Sequence, residues 1–138
     1  MVKKLECIML VDDSHDDNFI HERAIKQQFI DIRVITKTTG QDGLTQLRST
    51  PGIDNCLPDL IFLDINMPGM NGWEFLEEYN HLEKSMQSRA IIIMLSTSKV
   101  TEDIIRAKEW PFVSDFITKP LTREKINGID KKYFLPSL

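Results

Sequence analysis

Ile91, Ile92 and Ile93 are consecutive, and a strand carrying three such residues in a row is apolar on both faces, because successive side chains point to opposite sides. Only the interior of a sheet covered on both sides buries a run of this kind, which is the setting of a parallel sheet layered with helices. The isoleucines lie in the run Ala90 to Leu95, and four other short apolar runs fit the same role: Cys7 to Val11, Ile32 to Ile35, Leu60 to Leu63, and Phe116 to Ile117. The segments between them have helical length. Phe75, Leu76, Tyr79 and Leu82 form one apolar stripe and Val100, Ile104 and Ala107 another, at the spacing of a helix face. Thr39 and Thr122 stand where N-caps belong, and Ile126, Ile129 and Tyr133 continue a last helix. Gly128 interrupts that helix and, at about 1 kcal/mol relative to Ala, predicts fraying or a bend near Asn127. A first helix over Asp16 to Phe29 has its apolar residues spread around the wheel. Five strands alternating with five helices predict a doubly wound, three-layer α/β/α sandwich on a five-stranded parallel sheet, (βα)5, with right-handed crossovers. Such a sheet places its ligand site at the carboxyl ends of the strands, where the strand order reverses.

A chain of 138 residues fills one domain with a single core, so residues 1–138 are expected to be one unit with no separate output domain. Net charge −4, from 17 basic and 21 acidic residues, is the wrong sign for a general nucleic-acid or membrane-surface binder. The apolar run near the N-terminus ends at Asp12-Asp13, too soon for a signal sequence or a spanning helix. Cys7 and Cys56 form no CxxC or zinc-type spacing; they read as reduced thiols, which fits a cytoplasmic protein.

The chemistry is concentrated where the strands end. The first run ends in Asp12-Asp13, the third in Asp64, the fourth in Ser96-Thr97-Ser98 and the fifth in Thr118-Lys119-Pro120. An aspartate pair alone reads most simply as a helix cap. A third carboxylate on the same sheet edge changes the balance, since each close pair repels by about 1 kcal/mol in water-like dielectric and about 4 at an effective dielectric near 20. A divalent cation resolves that repulsion, and an all-oxygen set with room for waters and phosphate oxygens suits Mg²⁺. A carboxylate beside Mg²⁺ and the Lys119 ammonium is equipped to accept a phosphoryl group, because both positive charges offset the charge on the transferring group.

These stretches, IMLVDD ending at Asp13, PDLIFLDINMPGMNGWEFL from Pro58 to Leu76, IIIMLSTS from Ile91 to Ser98 and FITKPLT from Phe116 to Thr122, closely resemble the receiver domains of two-component response regulators, the CheY-like family. The resemblance covers essentially the whole chain and implies a flavodoxin-like, CheY-like fold. It makes Asp64 the phosphoacceptor, Asp12, Asp13 and Asp64 the Mg²⁺ carboxylates with the main-chain carbonyl of Asn66 completing the set, Ser96 the switch hydroxyl, Lys119 the lysine that meets the phosphate, and Phe116 the aromatic switch. Phe116 keeps the ring and lacks the hydroxyl that many members carry there. Asn66 and Ser98 match positions that tune dephosphorylation. The implied donor is a histidine kinase or a histidine phosphotransfer protein. The implied output is a protein contact on the face made by the fourth helix, fifth strand and fifth helix, with no direct contact to nucleic acid or membrane and no turnover of an external substrate.

Other features are set aside. His15 and His21 are six residues apart and do not share a helix face, His81 falls in a polar helix, and all three read as surface histidines. No GxxxxGK[ST] or GxGxxG stretch is present, so nucleotide binding has no motif behind it. Asp59 begins a strand, far from the carboxyl edge. Gly69 and Gly72 can take positive φ in a turn, and Met67 and Met70 read as gap fillers at the site rim, with a partner-binding patch as the alternative. Trp110-Pro111-Phe112 reads as a packed loop, with an exposed partner patch as the alternative. Two rival functions remain: a Mg²⁺-dependent phosphatase, weakened because Asn66 stands where a general acid is needed, and a binding module on the same fold that works without phosphorylation.

Overall fold

The computed structural model describes residues 4–48, 57–82, 84–87, 90–97 and 100–134. Its elements run β1 (Cys7–Val11), α1 (His15–Gln28), β2 (Arg33–Lys37), α2 (Gly40–Arg48), β3 (Leu60–Asp64), α3 (Gly72–Asn80), β4 (Ile91–Ser96), α4 (Thr101–Lys108), β5 (Val113–Thr118) and α5 (Arg123–Tyr133), with one helical turn, Lys84–Gln87, between α3 and β4. The strands form one sheet in the order β2-β1-β3-β4-β5, every pairing parallel. The order reverses between β1 and β3, so their carboxyl ends form the crevice where such folds hold ligands.

Alternation along each strand feeds two separate cores. Ile8, Leu10, Leu60, Phe62, Ile93 and Leu95 pack with Ile25, Ile126 and Ile129 beneath α1 and α5, while Met9, Val11, Ile61, Leu63, Ile92 and Met94 pack with residues of α2, α3 and α4, among them Leu44, Phe75, Tyr79 and Ala107. Ile92 and Ile93 are both fully buried, one in each core, which is the demand that the triple isoleucine makes. Each such side chain contributes about 1.5–3 kcal/mol on burial.

The helix starts are chemically marked. Ser14 accepts from the backbone N–H of Asp17 at 3.1 Å, Asn71 and Glu74 form a reciprocal capping box, and Thr122 accepts from Lys125 N–H. The Thr39 hydroxyl accepts from Asp42 N–H. Because Ser14 is the cap, α1 begins one residue before the expected Asp16. Strand β5 extends well beyond Phe116-Ile117, since its ladder with β4 takes in Val113 and Asp115 around a register shift at Ser114, a stretch with no apolar pattern.

Three expectations need correction. Helix α5 passes through Gly128 without interruption: burial of Ile126 and Ile129 and the Tyr133 hydroxyl donating to the Ser114 carbonyl at 3.0 Å outweigh the glycine's cost. Gly72 does not use positive φ, which belongs to Gly69 at 72°; a Cβ on Gly72 would lie 2.8 Å from the Asp64 carbonyl oxygen and 2.9 Å from Ile65 Cα, so its role is close approach of α3 to the end of β3. His21 is not a surface residue. It is 2 % exposed, whereas His15 and His81 are exposed.

Trp110 and Phe112 pack as a loop on the core, the Phe112 ring 4.9 Å from Tyr79 and 5.7 Å from Trp110. Cys7 is a buried thiol; Cys56 lies outside the described residues. Asp59 sits at the amino end of β3, where one carboxylate oxygen accepts from the backbone N–H groups of Glu6 and Cys7, tying the starts of β1 and β3 together.

Candidate functional site

The ends of β1, β3, β4 and β5 meet in one crevice. Asp12 follows β1 and its N–H donates to the Lys37 carbonyl of β2; its Oδ1 accepts from Ser14 N–H at 3.0 Å. Asp64 ends β3, Ser96 ends β4 opposite Thr118, and Lys119 follows β5 with its N–H donating to the Ser96 carbonyl at 2.8 Å. The Lys119-Pro120 peptide is cis. Asp12, Asp64 and Ser96 are all at most 5 % exposed, while Asp13 is exposed.

Asp12, Asp13 and Asp64 each offer a carboxylate oxygen, and these atoms lie within 4.8 Å of one another. The Lys119 ammonium stands among carboxylates, 2.7 Å from Asp12 Oδ2, 2.9 Å from Asp17 Oδ2 and 3.3 Å from Asp64 Oδ1. Asp64 is held above its ordinary value of 3.8, at about 6: burial is the main cause, the charge on Asp12 adds to it, and Lys119 opposes both. Burial works to lower Lys119, yet its close contacts with Asp12 and Asp17 and the charges of Asp12 and Asp64 outweigh that and hold the ammonium above its usual range. The site therefore combines a cation that does not give up its proton with a carboxylate of unusual basicity.

The donor set fits a hard divalent ion. Three clustered carboxylate oxygens, without nitrogen or sulfur, match the ligand preference of Mg²⁺, and one ammonium offsets only part of their charge.

The structure thus brings Asp12, Asp13, Asp64, Ser96 and Lys119 to one edge. Asn66 is exposed in the loop after β3 and Met67 is buried in the core. Phe116 is half-buried on β5 beside Met94. It lines a groove with Ile104 and Ala107 of α4. Ser98 lies outside the described residues. Asp17 and Asn18 were missed. Asn18 is buried, and its amide donates to the Asp12 carbonyl at 3.0 Å and to the Lys37 carbonyl at 3.4 Å, which clamps α1 to the ends of β1 and β2. The sequence signal was Ser14: taken as the N-cap, it places Asp17 at the third helical position, in the first turn next to the crevice.

A family model described as response regulator receiver domain matches residues 8–129. Among curated proteins, hybrid signal transduction histidine kinase L of Dictyostelium discoideum is 31% identical over 132 residues, 95% of this chain. The chain spans only 7% of that relative's length. Among solved structures, a two component response regulator from Cytophaga hutchinsonii superposes with a TM-score of 0.81 at 27% identity, covering 94% of this chain and 97% of that one. The Mn²⁺-bound form of response regulator Rcp1 superposes with a TM-score of 0.74 at 26% identity, covering 96% and 99%. No helix among the described residues is long and apolar enough to cross a membrane.

Proposed function

The chain belongs to the response regulator receiver family, whose members are phosphoacceptors in two-component signalling phosphorylated by histidine kinases or phosphotransfer proteins, and we propose that Asp64 is the acceptor here, in a Mg²⁺-dependent reaction. The observation that carries this reading is the Asp64 carboxylate lying both in the three-aspartate cluster and 3.3 Å from the Lys119 ammonium.

Asp12, Asp13, Asp64 and the main-chain carbonyl of Asn66 would hold Mg²⁺, which supplies charge neutralisation for the phosphoryl oxygens. In the transfer, one Asp64 oxygen forms a bond to phosphorus as the phosphorus–nitrogen bond of a phosphohistidine breaks, and the departing imidazole keeps the electron pair. Lys119 donates an N–H to a phosphoryl oxygen in place of its contact with Asp64. The raised pKa of Asp64 makes it the more basic nucleophile, yet at a value near 6 about nine-tenths of it is ionised at pH 7.

The Ser96 hydroxyl, buried at the end of β4, then moves toward the phosphoryl group, and the Phe116 ring turns into the space released. The groove between α4 and β5 changes shape, so the output is a protein contact on the face of α4, β5 and α5. Asn66 and Ser98 tune the lifetime of the phosphorylated state, and the site serves the cytoplasm, where the donor kinases act. The chain accepts a phosphoryl group and has no external turnover in this reading.

Incubation with acetyl phosphate and Mg²⁺, followed by intact mass and peptide mapping, tests the proposal. A gain of one phosphoryl group at Asp64, absent without Mg²⁺ and absent in Asp64→Asn, is expected. An adduct that survives Asp64→Asn unchanged overturns it.

A further inference from the structure

Lys119 Nζ has three N–H bonds and three carboxylate partners, and the second shortest contact goes to a residue outside the metal cluster. Asp17 Oδ2 lies 2.9 Å from Nζ, compared with 2.7 Å for Asp12 and 3.3 Å for Asp64. Asp17 is not among the clustered carboxylates, which are Asp12, Asp13 and Asp64. Its backbone is fixed by the Ser14 cap, in the first turn of α1, where a negative side chain is favoured. Its side chain is 36% exposed, so the charge is hydrated on one side while the Lys119 side chain, at 10%, is not.

The two cations of the site compete for the same oxygens. An ammonium among Asp12 and Asp64 repels an incoming divalent ion, and removing it altogether loses the group that meets the phosphoryl oxygens. A fourth carboxylate outside the metal cluster relieves this conflict: it keeps Lys119 paired while Asp12 and Asp64 turn to the metal.

We propose that Asp17 is a positioning residue for Lys119, drawing the ammonium toward α1 so that the divalent cation and Lys119 occupy the crevice together. The inference rests on the proposed Mg²⁺-dependent phosphorylation of Asp64 and adds a residue to it.

The test compares wild type, Asp17→Asn, Asp17→Glu and Asp16→Asn by calorimetric titration with Mg²⁺ and by the initial rate of phosphorylation from acetyl phosphate at saturating Mg²⁺. Asp16→Asn removes the same charge from the same helical turn, and Asp16 has no ion pair among the described residues. Asp17→Asn should weaken Mg²⁺ binding on the order of fivefold, within the range of couplings measured between groups in contact, and slow phosphorylation at saturating Mg²⁺. Asp17→Glu should recover most of both, and Asp16→Asn should change the Mg²⁺ dissociation constant less than twofold, about the size of a screened surface charge. Asp17→Asn behaving like Asp16→Asn in both measurements overturns the role of Asp17 while leaving the site intact. A wild type that neither binds Mg²⁺ nor takes up phosphoryl overturns the site reading, and the Asp17 role with it.

Discussion

Replacing Asp64 with Asn should stabilise the metal-free protein, by an amount that grows with pH. Asp64 titrates near 6 in the fold and at 3.8 ordinarily, a displacement of about two units, and each unit corresponds to about 1.36 kcal/mol. Ionised Asp64 therefore costs the fold about 3 kcal/mol relative to the protonated group. Between pH 4 and 6 the folded protein keeps a proton that the unfolded chain has released, so stability falls as pH rises through that window and levels above it. Asn does not titrate. The attraction of Lys119 at 3.3 Å acts only on the ionised carboxylate and is already contained in that displacement, so the diagnostic quantity is the rise in the difference between variant and wild type. Urea unfolding in EDTA at pH 4.5, 5.5, 6.5 and 7.5 should show that difference increasing by about 2 kcal/mol, which for a domain of this size is roughly 6–8 °C in melting temperature. A difference that is flat with pH, or that shrinks as pH rises, would refute the idea that repulsion and burial at Asp64 are stored in the fold.

Four other outcomes follow from the same coordinates. His21 is buried, and burial lowers it below 6.5, with Asp17, Lys119, Asp12 and Lys125 as its charged neighbours; its contribution to stability is complete above pH 6.5 and lost as pH falls below that value, so His21→Leu should flatten the acid side of the stability curve from denaturant midpoints. Two of the helix glycines, Gly72 and Gly128, should respond oppositely to alanine. Gly72→Ala forces a Cβ against the Asp64 carbonyl and should cost about 1–3 kcal/mol, whereas Gly128→Ala, with nothing within 4 Å of the new carbon, should gain about 0.5–1 kcal/mol, both read from thermal melts. Mg²⁺ at ten times its dissociation constant should stabilise the wild type by about 1.4 kcal/mol. That gain should shrink in Asp13→Asn and persist when Asp59, at the opposite end of β3, is replaced. Phosphorylation should change hydrogen exchange across residues 100–133, and no change there would argue against the route through Ser96 and Phe116.

What the sequence made legible was whatever a run of residues states locally. The triple isoleucine and the four other apolar runs gave the covered parallel sheet because burial on both faces leaves no polar position in the strand, and the strand ends were readable as ends because Asp12, Asp64 and Ser96 directly follow those runs and Lys119 follows the last with only Thr118 between. Strand β5 was read as two residues because Val113 to Asp115 owe their place to the ladder with β4, which no local pattern records. Gly128 was read as a break because a helix propensity of about 1 kcal/mol is visible locally, while the burial of Ile126 and Ile129 that overrides it is a tertiary fact. His21 and Asp17 failed for the same reason. Whether a polar residue of α1 faces solvent, the sheet or the crevice depends on the rotation of the helix, which the scattered apolar residues Phe19, Ile20, Ala24 and Ile25 do not set. Ser14 does set it, since the cap at its hydroxyl fixes the first turn and Asn18 then pins that turn to the Asp12 and Lys37 carbonyls. With the rotation fixed, Asp17 reaches Lys119 across 102 residues of sequence. Moving the cap should therefore move the ion pair: Ser14→Ala removes a helix cap worth about 1 kcal/mol and, by loosening the first turn, should weaken Mg²⁺ binding in the same direction as Asp17→Asn. In an Asp17→Asn background the same substitution should have no further effect on the Mg²⁺ dissociation constant. An additive loss in the double variant would show that the cap acts on the crevice by a path other than Asp17.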